Sequence, residues 1–167
     1  MAEIDDIVAT PASLTANSYG TLQECTDYLR IRPGGEAWLD LDTTQQRGTL
    51  LFAAILNDRE IYWGRKTDPD QAMKFPRGVQ TAGAEIVPVA IKQAQFESAL
   101  DLARGSFLQR EEFQEMQALG IRQYDADDTR IRMQPFLIEA LPMYKLSSAA
   151  RSLLGPYTET VIKVGRA

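Results

Sequence analysis

The sequence predicts a mainly α-helical fold. The expected form is a small bundle of three main helices plus a short C-terminal helix, with a long ordered loop, a β-hairpin and an extended C-terminal tail. Three observations carry this. Two capping boxes, Thr21 with Glu24 and Asp42 with Gln45, each stand at the head of an apolar stripe of helical period. Pro88 opens a third such stripe, which Gly105 closes. The chain has 167 residues, 44% of them hydrophobic and 25% charged, enough for one globular core with modest extensions.

The first 17 residues read as an N-terminal arm, because the Thr10-Pro11 break and a run of small residues leave no helical stripe. The helical core is expected over residues 18–105. Its first helix, residues 22–31, carries Leu22, Cys25, Tyr28 and Leu29 on one side and meets Pro33-Gly34-Gly35. The second spans residues 43–63 and is the longest. Leu51, Ala54, Ile55 and Tyr62 make its stripe, widened by Leu50 and Ile61, and Gly64 stands where it would stop. Residues 65–87 form a long irregular loop whose prolines and Phe75 favour a fixed path. The third helix, from Pro88 to about residue 104, presents a narrow stripe of Ile91, Ala94, Ser98, Ala99 and Leu102, suited to packing on the second.

An extension of charged helix and β-hairpin is expected over residues 106–135. Phe113 and Met116 anchor the helix, and alternating residues 121–124 and 129–133 flank the acidic turn Asp125-Ala126-Asp127-Asp128. Residues 136–167 complete the chain. Ser147 or Ser148 caps a short helix to Leu154 before Gly155-Pro156, and Thr160-Val161-Ile162-Lys163-Val164 is a β-prone tail.

Composition narrows the chemistry. There is no histidine, which removes the commonest general base and metal ligand, and one cysteine excludes a disulfide framework or cysteine-rich zinc site. Cys25 lies in an apolar stripe and reads as a core residue. Net charge is −5, against the basic face that gripping phosphates needs. The charge is uneven: residues 1–42 hold eight acids against two arginines, and residues 136–167 carry a net of +2. No apolar run reaches the roughly 18–20 residues of a membrane span, and the acidic N-terminus has no signal-peptide core. An intracellularly assembled protein that is not an enzyme and needs no cofactor or metal is the expectation.

Candidate sites are few. Asp125, Asp127 and Asp128 lack the glycine and terminal glutamate of a calcium loop. Asp68 and Asp70 are adjacent carboxylates in a proline-containing turn, with nothing to place a substrate between them. A single-stranded-DNA site can be drawn from Arg65, Lys66, Lys74 and Arg77 interleaved with Trp63 and Phe75, since cations beside stacking aromatics suit such strands. The competing reading is that Trp63 and Phe75 anchor the long loop onto the helices.

Several segments carry a family resemblance. These are Ser18-Tyr19-Gly20-Thr21 with Glu24 and Tyr28, then Trp38, and the run Tyr62-Trp63-Gly64-Arg65-Lys66-Thr67-Asp68-Pro69-Asp70-Gln71-Ala72. Phe75-Pro76-Arg77, Ile86-Val87-Pro88 and Ile91-Lys92-Gln93-Ala94-Gln95 with Glu97 and Ala99 complete them. Over residues 18–104 the chain resembles the tailed-phage family labelled DnaT-like single-stranded-DNA-binding protein. At the level of fold it resembles head–tail connector, or adaptor, proteins.

The resemblance implies a virion neck protein, assembled in the host cytoplasm. It would form a homo-oligomeric ring, commonly of twelve copies, under the portal protein, and offer a platform for the next tail or neck component. Double-stranded DNA would pass through the lumen without specific binding, and no membrane is involved. An acidic lumen repels phosphates. In that setting the candidate subunit-interface residues are Trp63, Arg65, Asp68, Asp70, Phe75 and Arg77. Val161, Ile162, Lys163, Val164 and Arg166 are the candidate portal-docking residues, through addition of a strand to a sheet edge. Pairing of the tail with the hairpin at residues 121–133 is the rival arrangement, and a single-stranded-DNA-binding replication accessory is the alternative function.

Overall fold

A computed structural model describes residues 6–78, 85–105, 123–126, 129–132 and 146–158. The chain is mainly helical. In order come α1 (Leu22–Arg30), α2 (Glu36–Leu39), α3 (Thr43–Asp58), α4 (Val89–Ala103), an antiparallel pair of strands β1 (Gln123–Ala126) and β2 (Thr129–Arg132), and α5 (Ser148–Leu154). A 3-10 turn, Gly155–Tyr157, follows directly on α5. Gln123 stands opposite Arg132 and Ala126 opposite Thr129, so Asp125 and Ala126, expected in the turn, belong to a strand. Among the described residues no helix is long and apolar enough to cross a membrane. The expected helix at residues 107–118 and the tail from residue 160 lie outside the described residues.

The caps form where the sequence places them. Thr21 Oγ1 accepts from the Glu24 N–H while Glu24 Oε2 accepts from the Thr21 N–H, at 3.2 and 2.8 Å. Asp42 and Gln45 exchange the same pair of bonds at the head of α3. At α5 the Ser147 hydroxyl accepts from the Ala150 N–H at 3.1 Å. Each satisfies donors that the first helical turn leaves without partners.

Two expectations about α3 are corrected. The helix stops at Asp58, five residues before Trp63, and Gly64 is not its terminator. After Arg59 the chain folds back so that the Tyr62 hydroxyl donates to the Asn57 carbonyl at 2.7 Å, closing the last turn from outside. The buried stripe is also rotated. Leu50, Ala53, Ala54, Leu56 and Asn57 face inward, whereas Ile55 is 51% exposed. A polar residue completes the i, i+3, i+4, i+7 face, so hydrophobicity alone pointed one residue off. Asn57 is satisfied inside: its amide donates to the Ile91 carbonyl, and its Oδ1 lies 3.3 Å from the Ser98 hydroxyl.

Nor is the buried face of α4 narrow. Every residue from Ala94 to Leu100 is buried, because α1, α2, α3 and α5 all pack on this one helix. The core falls into two clusters along it. Tyr19, Ala54, Tyr62, Phe75, Val87, Ile91, Ala150 and Leu154 gather with the N-terminal half of α4. Cys25, Leu29, Trp38, Leu50, Phe96, Ala99 and Leu100 gather with the C-terminal half. The one-turn helix α2, too short to show a period in sequence, places Trp38 in this second cluster. Before it, Gly34 takes φ +74°, a conformation that glycine adopts without strain, and its carbonyl accepts from Arg104 at the end of α4.

Residues 6–17 are ordered by the rest of this chain. Val8 and Asn17 bond to each other through both backbone and side chain, Ala16 is buried, and the Ser13 carbonyl accepts from the Ala72 N–H at 3.1 Å. Just beyond, the Gln95 amide joins three segments. It donates to Ser18 Oγ and the Leu50 carbonyl, at 2.8 and 2.9 Å, and accepts from the Tyr19 N–H at 2.9 Å.

Candidate functional site

The aspartate-proline loop, residues 62–78, holds most of the side chains singled out from sequence. Its frame is a ladder fragment in which Lys66 stands opposite Arg77. The Gly78 N–H donates to the Arg65 carbonyl and the Thr67 N–H to the Pro76 carbonyl, at 2.9 and 3.2 Å. Inside sits Gln71, 2% exposed. Its Nε2 donates to the Met73 and Pro76 carbonyls and its Oε1 accepts from the Asp68 N–H. Sequence reasoning gave Gln71 no role, because a lone glutamine in a polar loop shows no signal of burial.

Phe75 faces inward. Its ring meets those of Tyr62, Tyr157 and Tyr19 edge-on, with centroids 4.9, 6.0 and 6.1 Å apart. The Phe75–Pro76 peptide bond is cis. Arg77 is turned to the loop's own backbone: its guanidinium donates to the carbonyls of Trp63 (2.7 Å), Tyr62 (3.1 Å), Lys74 (3.3 Å) and Gly64. The Lys66 ammonium donates to the Gln71 carbonyl and the Lys74 ammonium to that of Glu60, both at 2.7 Å. Beneath the loop, Asp58 Oδ1 accepts from the Tyr19 hydroxyl and from the Lys74 N–H. Burial, with the Asp58 charge second, pushes the Tyr19 hydroxyl far above the usual range, so it stays a donor.

The outward residues are Trp63, Arg65, Asp68 and Asp70. Trp63 is 60% exposed yet fixed. Its Nε1 donates to the Thr158 carbonyl at 2.8 Å and its backbone N–H to that of Tyr157 at 2.9 Å. Asp68 accepts from the Asp70 N–H within its own turn. Beside Trp63, Glu60, Leu146, Arg151, Leu154 and Thr158 surround a cleft of about 370 Å³. The six candidate interface residues therefore divide into two inward, Phe75 and Arg77, and four outward. Val161, Ile162, Lys163, Val164 and Arg166 lie outside the described residues.

The arrangement is a braced loop presenting a fixed tryptophan. Its three inward-bonded cations hydrogen-bond backbone carbonyls of the loop and its flanks, at part-buried sites and, for Trp63 and Gly64, exposed ones. Among the described residues no three His, Cys, Asp or Glu side chains gather to hold a metal ion.

A family model described as "Putative DnaT-like ssDNA binding protein" matches residues 7–128. No curated protein and no solved structure matches the chain. The matched stretch takes in the N-terminal segment, helices α1 to α4 and the braced loop between α3 and α4, and leaves out α5; on that extent the chain belongs to this DnaT-like family.

Proposed function

We propose that this chain is a non-catalytic assembly subunit, the head–tail adaptor of a tailed-phage virion, which rings the DNA path beneath the portal. One observation carries the reading: the cations of the aspartate-proline loop are turned inward. Arg77, Lys66 and Lys74 each bond backbone carbonyls of the loop or its flanks, and Phe75 is buried. A single-stranded-DNA groove needs those cations on phosphates and those rings under bases. What the loop offers outward is a rigid tryptophan, the kind of residue that anchors protein contacts. The net charge of −5 accords with a wall past which DNA moves without adhering.

The family description favours a second reading, single-stranded-DNA binding, for which Trp63 with Arg65 is the remaining exposed aromatic–cation pair. Fluorescence anisotropy with a labelled single-stranded oligonucleotide across a salt series separates the two. The adaptor reading expects weak binding. Tight binding that falls steeply with salt and is lost in Trp63→Ala would replace it with the second. Labelling the chain in purified virions should place it at the neck; its absence from virions would end the adaptor reading.

A further inference from the structure

Two exposed patches lie at opposite ends of the molecule and complement each other. The first follows α3. Ile61 and Trp63 are 56% and 60% exposed, and Arg59 and Arg65 are exposed beside them in the chain, forming no ion pair among the described residues. The second follows α1. Ile31 and Leu39 are 82% and 43% exposed; exposed Glu36 and Asp40 form no ion pair among the described residues, whereas Arg30 and Arg32 beside Ile31 are paired with Asp27 and Glu97. Residues 58–78 sum to a charge of +1 and residues 27–42 to −2.

The core fixes where the patches sit. Tyr62 packs in the cluster that contains Val87 and Ile91, at the start of α4. Trp38 packs in the cluster of Phe96, Ala99 and Leu100, and Arg104 at the end of α4 donates to the Pro33 and Gly34 carbonyls. The patches thus lie against opposite halves of α4, whose 15 residues span about 22 Å at 1.5 Å each.

We propose that the Arg59, Ile61, Trp63 and Arg65 patch of one copy docks head-to-tail on the Ile31, Glu36, Leu39 and Asp40 patch of the next. The inference rests on the assembly reading and supplies its contact. Apolar side chains meet apolar ones while cations meet acids. Pairing like with like would instead crowd arginines against arginines or acids against acids. Trp63 is held by Thr158 and Tyr157 before contact, so little side-chain freedom is lost on docking. Because the two surfaces differ, each added copy leaves one patch open at either end, and the series closes as a ring if the rotation permits.

The test is sedimentation velocity on full-length chains. Ile61→Glu with Arg65→Glu blocks the first patch and Ile31→Glu with Leu39→Glu blocks the second, so that the two blocked patches are both acidic and repel each other. Each variant alone should remain a monomer, and an equimolar mixture should give a one-to-one dimer and nothing larger, since one intact patch of each kind remains. Arg59→Glu with Arg65→Glu changes no apolar contact and serves as the blocking variant if the first fails to fold. A mixture that stays monomeric, or a blocked variant that assembles like wild type, overturns the proposal. In the second of these cases the assembly reading survives without this contact. Wild type that remains monomeric at all concentrations overturns both. Loss of oligonucleotide binding in the first variant, with self-assembly unchanged, would make the patch a nucleic-acid surface and likewise overturn the contact.

Discussion

Arg77 shows what a single side chain does in the aspartate-proline loop. Its planar fork reaches four carbonyls that a lysine ammonium cannot span together. Arg77→Lys should cost about 1–2 kcal/mol in urea unfolding, as expected for charged hydrogen bonds lost from acceptors of which two are part-buried and two exposed. Phe75→Ala removes a ring packed among three tyrosines and should cost about 3–5 kcal/mol. Losses below about 0.5 kcal/mol at both positions would mean that the loop is not braced in this way. The tyrosines set an alkaline limit. Burial, then the hydrogen bond to Glu97 and its charge, push Tyr28 up to about 12 against the opposing pull of Arg32. Tyr19 and Tyr62 are raised further, burial being the main cause in each. A hydroxyl with a folded pKa above the unfolded value, about 10, stabilises the fold fully below pH 10 and loses that contribution as pH rises through the folded pKa. Tyrosinate absorbance should therefore lag behind that of free tyrosine and rise together with unfolding. Tyr28→Phe should flatten part of the loss between about pH 10 and 12.

At the scale of elements, α5 carries more than its seven residues suggest. Ala150 and Leu154 are buried against α4, and Tyr157 and Thr158 hold Trp63. This segment lies beyond the family match, which ends at residue 128. Ending the chain after Lys145 should nonetheless destabilise the helical core, because it removes Leu146, Ala150 and Leu154 together. Leu154→Ala alone should cost about 2–5 kcal/mol by thermal or urea melting. Deleting residues 160–167 should leave the melting curve unchanged if the tail serves docking. Thr21→Ala tests α1 separately and should cost about 1 kcal/mol, since it opens the bond to the Glu24 N–H.

At the scale of the molecule, the two tryptophans report opposite conditions. Trp38 is fully buried in the second cluster, and Trp63 is exposed. Acrylamide should quench one of the two in the monomer. If Trp63 lies at the contact between copies, raising protein concentration should protect it while Trp38 emission stays constant. Quenching that does not change between monomer and assembly would place Trp63 outside the contact.

Local rules were enough for α1, α4, α5, both capping boxes and the presence of a hairpin, though not the bounds of its turn, because caps, glycine stops and strand alternation are written in neighbouring residues. Cys25 could be read as core for the same reason; burial pushes its thiol up, away from reactivity. The end of α3, its rotated face and the inward turn of Arg77 were not legible, whereas the anchoring of the loop by Phe75 was one of two readings open in the sequence. Each depends on a partner distant in sequence: Asn57 on Ile91 and Ser98, Phe75 on Tyr19 and Tyr157, Trp63 on Thr158. An arginine beside an aromatic reads equally well as a binding surface or as an internal brace. Only the folded chain decided between them at Arg77, because only there do the carbonyls of residues 62–64 and 74 converge on one guanidinium.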